Sequence, residues 1–308
     1  MDFLKTMLAA GLAAAIAGPA VAQERISIGT GGTGGLFYVI GAGVADLLNQ
    51  NMAGTTARAE VTGASVENIR RVAAGQMTFG FSSSSTLYEA SVGEGPFEQA
   101  LPVSAMAYLY PAVLQIATTA GSGIATIEGL AGKRINLGPP GSNAAVLAQR
   151  ILEAYGVFDA GTAQFLSYTE GTSALLNGTL DATVVLAGAP TAALIDLAAQ
   201  RDMRLIPVET ERLADLVARY PFYQPYEIPA GTYSGQDAPV IAINDPATLF
   251  TSESAPDETI YSITKAVFDH LDTLAQVHPQ AAAIALETAP NTPIPLHPGA
   301  QRYFDERR

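Results

Sequence analysis

Short apolar runs alternate along the chain with longer stretches in which apolar residues recur every three or four positions. This alternation is typical of strands followed by helices, and it occurs in two series. The strands predicted in this way are 25–29, 57–61, 77–81, 103–108, 114–118, 134–137, 164–167, 182–186, 204–207 and 239–244. The helices predicted in this way are 36–49, 65–74, a short one ending at 92, 143–155, 172–177, 190–200, 257–276 and 279–287. Such an order favours an α/β protein with parallel sheets.

The two series predict two lobes joined by two crossings. The first crossing lies near Pro111, and the segment 220–239, which is rich in Pro, Tyr and Gly, is predicted to be the return. We therefore expect residues 23–109 to form the first part of lobe I and residues 110–230 to form lobe II. Residues 231–308 are expected to return to lobe I and to end in helices.

The first 22 residues have the layout of a secretory signal peptide. Lys5 precedes an apolar run from Met7 to Ala17, Pro19 breaks that run, and Ala20–Ala22 forms a small-residue cleavage signal. The apolar run is shorter than the roughly 20 residues that span a bilayer. The sequence predicts cleavage near Ala22 and a periplasmic protein that does not itself span the membrane.

Composition removes several classes of function. The 308 residues include 29 acids against 16 Lys and Arg, for a formal net charge of −13, which argues against nucleic-acid binding. There is no cysteine, so thiol catalysis, disulfides and cysteine-ligated metals are excluded, and three histidines leave little for a His-rich metal site. A hydrophobic share of 48% supports a folded core.

A glycine-rich segment lies between the first predicted strand and the first predicted helix. Its spacing, Gly29-x-Gly31-x-x-Gly34, matches the dinucleotide fingerprint, because glycines let backbone amides approach an anion at a helix start. The same physics serves a carboxylate, and a glycine turn with no ligand has the same spacing. All three interpretations stay open, and a small-anion loop is favoured.

Two further polar loops follow predicted strands. Gly138–Asn143 places Ser142 as a helix N-cap, and Ser82–Ser85 lies one turn before Tyr88. Because ligands of open α/β sheets bind beyond the carboxyl ends of strands, these loops and the glycine-rich segment are expected to face one cleft. A purely capping role remains the alternative for both.

Other motifs point away from catalysis. Ser262-x-x-Lys265 lacks the partner motifs of its enzyme class and falls within a predicted helix. His278 and His297 each precede a proline, and we predict that both are structural or capping residues. No nucleophile elbow and no carboxylate pair near the glycine loop is found, so we predict no enzyme activity, no catalytic residue, no metal and no cofactor.

Several stretches of the chain resemble the TAXI-type solute-binding proteins of tripartite ATP-independent periplasmic (TRAP) transporters. They are Ile28–Tyr38, Val61–Ile69, Ile135–Asn143, Asp181–Pro190, Ile228–Tyr233, Tyr261–Asp269 and Pro295–Ala300. The resemblance implies a type II-like periplasmic binding-protein fold that closes over a ligand and delivers it to an ion-driven permease. It also implies a small carboxylate ligand, with glutamate and 2-oxo dicarboxylates among those of the family.

One departure from the family bears on the ligand. Where the family usually has a Gln-Ser-Asp-like stretch, this chain has Ser83-Ser84-Ser85, and Ala112 stands where an acid is common. The loss of an acid that could face an ammonium gives the hypothesis of a carboxylate without an α-amino group. The alternative is that the acid only caps the following helix, which serine does equally well.

The resulting hypothesis is a receptor that binds its ligand by hinge closure and catalyses no reaction. It would contact the ligand with polar turns from both lobes. Its candidate ligand-binding residues are Gly32, Thr33, Gly34, Ser65, Ser83, Tyr88, Ser142, Asn143, Gly188, Pro190 and Tyr233. Arg58 or Arg150 could also reach the site. The expected partners are the ligand and a TRAP permease, and a monomer is expected. The alternatives are an exported α/β enzyme for a phosphorylated substrate, and a sensor subunit for a signalling kinase.

Overall fold

The computed structural model describes residues 24–220 and 222–307. The predicted signal peptide, residues 1–22, therefore lies outside the described residues. The strands are β1 Glu24–Gly29, β2 Thr55–Glu60, β3 Phe79–Ser83, β4 Val103–Tyr110, β5 Val113–Thr119, β6 Ile135–Asn136, β7 Ala163–Gln164, β8 Ala182–Ala187, β9 Met203–Ile206, β10 Gln224–Ile228, β11 Val240–Asn244 and β12 Ala247–Ser252.

The α-helices surround these strands. They are α1 Leu36–Asn51, α2 Ser65–Ala73, α3 Ser84–Val92, α4 Asn143–Ala154, α5 Tyr168–Leu176, α6 Ala192–Gln200, α7 Ala214–Arg219, α8 Asp257–Phe268, α9 Leu271–Val277 and α10 Pro298–Asp305. Short 3₁₀ turns, among them Pro279–Ala283, complete the described elements.

The strands form two sheets, one in each lobe. The sheet of lobe I has the order β2-β1-β3-β12-β4, and the sheet of lobe II has the order β10-β11-β5-β8-β6-β7, with β9 paired to β5. This confirms the predicted two-sheet α/β class. The sheets are mixed rather than purely parallel, because β12 runs antiparallel to β3 and β4, and β5 runs antiparallel to β8, β9 and β11.

The second crossing comes later than the boundary expected at residue 231. The strand at 240–244 pairs with β5 in lobe II, so the chain returns to lobe I at Asp245–Pro246, between β11 and β12. The expectation followed the Pro-, Tyr- and Gly-rich composition of 220–239, but that segment contains β10 and stays in lobe II. The first crossing, between β4 and β5, lies at 111–112.

Several elements differ from the predicted pattern. The strand β12 is buried along nearly its whole length, so it has no apolar–polar alternation that would reveal it. The helix predicted at 257–276 is divided into α8 and α9 at Asp269, whose carboxylate accepts hydrogen bonds from Tyr303 (2.8 Å) and Arg307 (2.7 Å). The predicted helix 279–287 is only the 3₁₀ turn Pro279–Ala283, and α7 and α10 were not predicted.

Register in the sheets brings the polar loops to one edge. In lobe I, Gly29 of β1 lies beside Gly80 of β3 in a parallel pair, so the glycine-rich loop and the serine run leave the sheet together. In lobe II, Asn136 of β6 lies beside Thr183 of β8 in another parallel pair. The carboxyl ends of these strands face the gap between the lobes, which is where ligands of open α/β sheets bind.

The apolar core extends across the lobe boundary. One cluster of buried residues includes Ile40 and Phe81 of lobe I together with Val185 and Leu194 of lobe II. A second cluster, with Leu147 and Ile151 of α4, belongs to lobe II, and a third, with Ile69 and Leu87, lies under α2 and α3. Such continuous packing describes lobes that are closed on each other.

Both histidines predicted to be structural cap helical turns. Nδ1 of His278 accepts from the amide of Gln280 at 3.1 Å, and Nδ1 of fully buried His297 accepts from the amide of Gly299 at 3.2 Å. Burial lowers the pKa of both imidazoles, which keeps them neutral acceptors. Over the described ranges no helix combines the length and the apolar character needed to cross a bilayer.

Candidate functional site

A small cavity lies between the two lobes at the carboxyl ends of the strands. Its walls come from the glycine-rich loop, the starts of α1, α2, α4 and α5, and the ends of β3 and β8. The lining residues are Gly31, Gly32, Gly35, Leu36, Phe37, Ala64, Ser65, Ser83, Pro139, Ser142, Asn143, Ala144, Tyr168, Leu186 and Ala187. The free volume is about 20 Å³, room for about one water molecule.

Five helix N-termini converge on this cavity. Leu36, Ser65, Asn143 and Tyr168 are the first residues of α1, α2, α4 and α5, and Ser83 is the N-cap of α3. Each helix start carries a partial positive charge and amides that its own helix does not use. None of the described residues that line the cavity is itself charged.

Two of these helix starts are already occupied by protein groups. The amides of Val66 and Glu67 in α2 donate to the carbonyl of Gly141 in lobe II, at 3.1 and 3.3 Å. The amide of Ser85 in α3 donates to Asp245 Oδ1 at 3.0 Å. These contacts join the lobes and the second crossing. The start of α5 carries the carboxylate of Glu170 in a capping box with Ser167, so the starts of α1 and α4 are those best placed for a ligand.

Three serine hydroxyls stand in the polar wall. Ser65 Oγ accepts from the amide of Ser83 at 3.0 Å, which ties α2 to the end of β3. Ser142 is the predicted N-cap of α4: its Oγ accepts from the amide of Ala145 at 3.3 Å and donates to the carbonyl of Pro139 at 2.6 Å. These bonds fix the orientation of the loops before any ligand arrives.

A buried carboxylate lies directly behind the cavity. Asp245, at the second crossing, is fully buried and accepts hydrogen bonds from Ser85 Oγ and from Asn143 Nδ2, both at 2.5 Å. Burial raises the pKa of this carboxyl to about 6, although the hydrogen bonds from Ser85 and Asn143 act in the opposite direction. Asp245 thus links α3 of lobe I to α4 of lobe II.

The acid expected to be missing from the serine run is therefore supplied from elsewhere. At Ser85, where the resemblance implies an acid, both the amide and the hydroxyl donate to Asp245. Asp245 was not among the residues predicted to form the site. The signal for it was the Asp-Pro dipeptide after an apolar strand, which indicates a turn at the strand's carboxyl end.

An ion pair between the lobes lies one turn further along α3 and two turns further along α4. Glu89 of α3, whose side chain is fully buried, is 2.6 Å from Arg150 of α4. The same guanidinium donates to Tyr223 Oη at 3.1 Å and lies 4.7 Å from the ring centroid of Tyr220. Arg150 therefore does not line the cavity, and exposed Arg58 on β2 does not line it either.

The structure brings five of the predicted ligand-binding residues to the cavity wall. They are Gly32, Ser65, Ser83, Ser142 and Asn143. Of the others on the glycine-rich loop, Thr33 is exposed, and an ideal Cβ on Gly34 would lie 2.6 Å from Thr169 Oγ1 of lobe II. Gly34 therefore marks a contact between the lobes.

The remaining four predicted residues lie beside the cavity or away from it. Gly188 packs against Leu36, and an ideal Cβ there would lie 2.5 Å from Leu36 Cδ2. Pro190 follows in the same turn, and Tyr233 Oη supports that turn by accepting from the amide of Thr191 at 2.9 Å. Tyr88 packs against Phe222, with ring centroids 5.6 Å apart.

Sequence reasoning missed the apolar part of the wall. Phe37 packs on Phe81 with ring centroids 5.4 Å apart, and Tyr168 Oη donates to the carbonyl of Leu186 at 3.0 Å. Burial raises the pKa of Tyr168 to about 12, so it stays a neutral donor. Neither aromatic was predicted to bind a ligand, because an apolar residue near a helix start is as typical of a core position as of a cavity wall.

The chemistry of the wall suits recognition. Hydroxyls, one amide and helix starts are present, and the hydroxyls of Ser65 and Ser142 are bonded to backbone groups rather than to a base. Within 24–220 and 222–307, no group of three or more His, Cys, Asp or Glu side chains could hold a metal ion.

The sequence matches the NMT1-like family over residues 28–307. This match covers far more than half of the chain.

Solved structures show a similar fold. MatC from Rhodopseudomonas palustris with bound malate is 15% identical, with a TM-score of 0.56 over 92% of this chain and 97% of that one. The binding protein component of a phosphonate transporter from Pseudomonas aeruginosa is 12% identical, with a TM-score of 0.52 over 85% and 80%. A putative L-cystine transporter protein from Listeria monocytogenes is 13% identical, with a TM-score of 0.52 over 87% and 99%. At such identities the similarity shows the fold, which is that of periplasmic solute-binding proteins.

Proposed function

Because the chain belongs to the NMT1-like family and has the fold of periplasmic solute-binding proteins, we propose that it is a receptor for a small organic carboxylate. The observation that carries this proposal is the convergence of five helix starts on a cavity whose described lining residues are uncharged. Helix starts attract anions through their partial positive charge, and among the described residues neither the other lobe nor an acid occupies those of α1 and α4. Each charge-assisted hydrogen bond contributes roughly 1.5–3 kcal/mol.

The proposed mechanism is closure of the lobes over the ligand. Lobe I supplies the start of α1 with Gly32 and Ser83, and lobe II supplies Ser142 and Asn143. Since both lobes would contact the ligand, the ligand stabilises the closed form by its differential affinity for it. The free volume in the closed form is about that of one water molecule, so a ligand has to enter while the lobes are apart.

More specifically, we propose that the receptor is of the TAXI type. It would be exported to the periplasm and would deliver its ligand to a TRAP permease. This proposal rests on the seven stretches that resemble that family and on the predicted signal peptide. In this assignment the closed form, rather than any chemical step, is what the permease recognises. The acidic net charge of −13 is spread outside the cavity, whose wall is neutral.

The test is a comparison of matched ligands by isothermal titration calorimetry on the purified protein. We expect a small carboxylate to bind at least about tenfold more tightly than its primary amide, since only the carboxylate forms charge-assisted bonds with helix starts. Native mass spectrometry of the same preparation should show a small acid released unchanged. Equal affinity for acid and amide would contradict the proposal, and chemical turnover of the ligand would favour an exported enzyme instead.

A further inference from the structure

The amide of Asn143, in the cavity wall, has a hydrogen-bond acceptor without a partner. Asn143 is the first residue of α4, lines the cavity and is only 1% exposed. Its Nδ2 donates to Asp245 Oδ2 at 2.5 Å. Its Oδ1 is buried and has no hydrogen-bond partner. The oxygen is therefore the amide atom left for a ligand.

Asp245 prevents the amide from turning over. An ionised carboxylate only accepts hydrogen bonds, so it holds the NH₂ group of Asn143 and keeps the carbonyl oxygen away from itself. A rotation of the amide by half a turn would place its oxygen against the carboxylate, which is repulsive in a buried setting. Ser85 fixes the carboxylate in turn, through its amide at 3.0 Å and its hydroxyl at 2.5 Å.

We propose that Asn143, oriented by Asp245, selects carboxylates that carry a hydrogen-bond donor beside the carboxyl group. A 2-hydroxy or 2-amino acid can donate to Asn143 Oδ1, whereas a 2-oxo acid offers only another acceptor. The inference rests on the proposed function, because it assumes that the carboxylate lies between the helix starts. Asp245 is a positioning residue here, since it does not line the cavity. A 2-hydroxy acid fits both this ranking and the hypothesis of a carboxylate without an α-amino group, whereas a 2-amino acid fits only the ranking.

The ligands for the test differ at one carbon only. Calorimetric titrations would use lactate, alanine and pyruvate as one series, and 2-hydroxyglutarate, glutamate and 2-oxoglutarate as a second, larger series. In the series that binds, we expect the hydroxy or amino acid to bind at least about tenfold more tightly than the oxo acid, because a buried pair of acceptors leaves both unsatisfied. Comparison of the hydroxy with the amino member identifies which donor the site accepts.

Two variants test the roles of the residues. Asn143→Leu removes the acceptor and should bring the ratio of affinities between donor and oxo ligands to within about threefold. Asp245→Asn lets the amide of Asn143 adopt either orientation, so the same ratio should fall while carboxylate binding is retained. A merely structural role for Asp245 would weaken all ligands alike and leave the ratio unchanged. Gln149→Ala, which removes a more exposed amide from the same helix, is the matched control and should keep the wild-type ratio.

The outcomes separate this inference from the proposed function. Tight binding of an oxo acid with equal or weaker binding of its hydroxy and amino partners would overturn the selection rule and leave the carboxylate receptor standing. An unchanged ratio in Asp245→Asn, with circular dichroism showing a native fold, would overturn the role of Asp245. Failure of all six acids to bind would overturn the carboxylate receptor, and the selection rule with it.

Discussion

At the scale of single residues, the groups that matter most are buried ionisable side chains between the lobes. Glu89 is fully buried, and Arg150 neutralises it from the other lobe at 2.6 Å. Removing one partner of such a pair leaves an uncompensated charge away from water, which costs far more than the pair contributes. Exposed pairs such as Arg134 with Asp181 have water as an alternative partner and contribute little.

Replacement of Arg150 should therefore be strongly destabilising. We expect Arg150→Met to lower the free energy of unfolding by about 3–5 kcal/mol, measured by urea denaturation at neutral pH. The double variant Arg150→Met with Glu89→Gln should recover most of that loss, because no buried charge remains. The matched control Arg134→Met, at an exposed Arg–carboxylate pair, should change stability by less than about 1 kcal/mol. A loss of similar size in both single variants would contradict this account.

The raised pKa of Asp245 predicts how the free energy of unfolding depends on pH. Burial raises its pKa from 3.8 to about 6. The hydrogen bonds from Ser85 and Asn143 lower the pKa in part, and the negative charge of Glu89 raises it further. Between about pH 4 and 6 Asp245 holds a proton in the folded protein that it has released in the unfolded chain. The contribution of Asp245 to the free energy of unfolding therefore falls as pH rises through this window. Below the window both states are protonated and the cost is absent, while above it the cost reaches about 2–3 kcal/mol.

The variant Asp245→Asn cannot titrate at this position. We compare the free energy of unfolding of Asp245→Asn with that of wild type at each pH. Relative to wild type, the variant should be about 2–3 kcal/mol more stable at pH 7.5 than it is at pH 4. Urea denaturation at the two pH values measures it, and hydrogen bonds lost at both pH values cancel in the comparison. The same difference at pH 4 and pH 7.5 would show that Asp245 keeps an ordinary pKa.

At the scale of the elements, closure depends on glycines at the tips of facing loops. Gly63, just before α2 in lobe I, lies against the loop before α4 in lobe II, and an ideal Cβ on it would be 2.4 Å from the backbone oxygen of Pro140. A backbone atom cannot move aside as a side chain can. An ideal Cβ on Gly188 would instead meet the ends of the Leu36 and Gln280 side chains, which can shift.

Gly63→Ala should accordingly prevent full closure. We expect ligand affinity to fall by about tenfold or more, since the ligand would lose contacts from one lobe, while each lobe keeps its fold. Calorimetry measures the affinity, and small-angle X-ray scattering should show no compaction of the variant with ligand. Gly188→Ala should have a smaller effect, and Gly121→Ala, which has nothing within 4 Å, should bind as wild type does. Wild-type affinity in Gly63→Ala would show that these loops do not meet in the bound form.

The loops at the strand ends could be predicted from the sequence, whereas one strand and part of the site could not. The loops after β1, β3 and β6 were predicted because glycine, serine and proline next to apolar runs mark strand ends. The strand β12 was not predicted, since a strand buried on both faces has no alternation. The return was predicted at 231 because the composition of 220–239 resembles a crossing, although that segment stays in lobe II. Phe37, Tyr168 and Asp245 were missed for another reason. Their contacts, Phe37 with Phe81, Tyr168 with Leu186, and Asp245 with Ser85 and Asn143, join residues distant in sequence, and such contacts leave no local pattern.

At the scale of the whole molecule, the structure is a pair of lobes joined at 111–112 and at Asp245–Pro246. The closed arrangement is held by contacts of quite different kinds. They include the amides of α2 on Gly141, the pair of Glu89 and Arg150, and the packing of Gly34 on Thr169. Because the lobes share an apolar cluster, closure is expected to be a packed state rather than a loose approach.

A reversible covalent lock tests whether opening is required for ligand exchange. An ideal Cβ on Gly34 of lobe I lies 2.6 Å from Thr169 Oγ1 of lobe II, which is within reach of a disulfide once both positions are cysteine. The chain has no cysteine of its own, so the thiols of the double variant Gly34→Cys with Thr169→Cys can pair only with each other within one molecule.

Oxidation before ligand is added should exclude the ligand, and oxidation afterwards should slow its release by about a hundredfold or more, because the lobes can no longer separate. Calorimetry and the release of a labelled acid measure both effects, with mass spectrometry to verify the cross-link, and a reducing agent should restore wild-type exchange. Each single-cysteine variant serves as the control for the substitution itself. Exchange at the wild-type rate in the fully cross-linked protein would show that the ligand reaches its site without separation of the lobes, and the cavity between the helix starts would then not be that site.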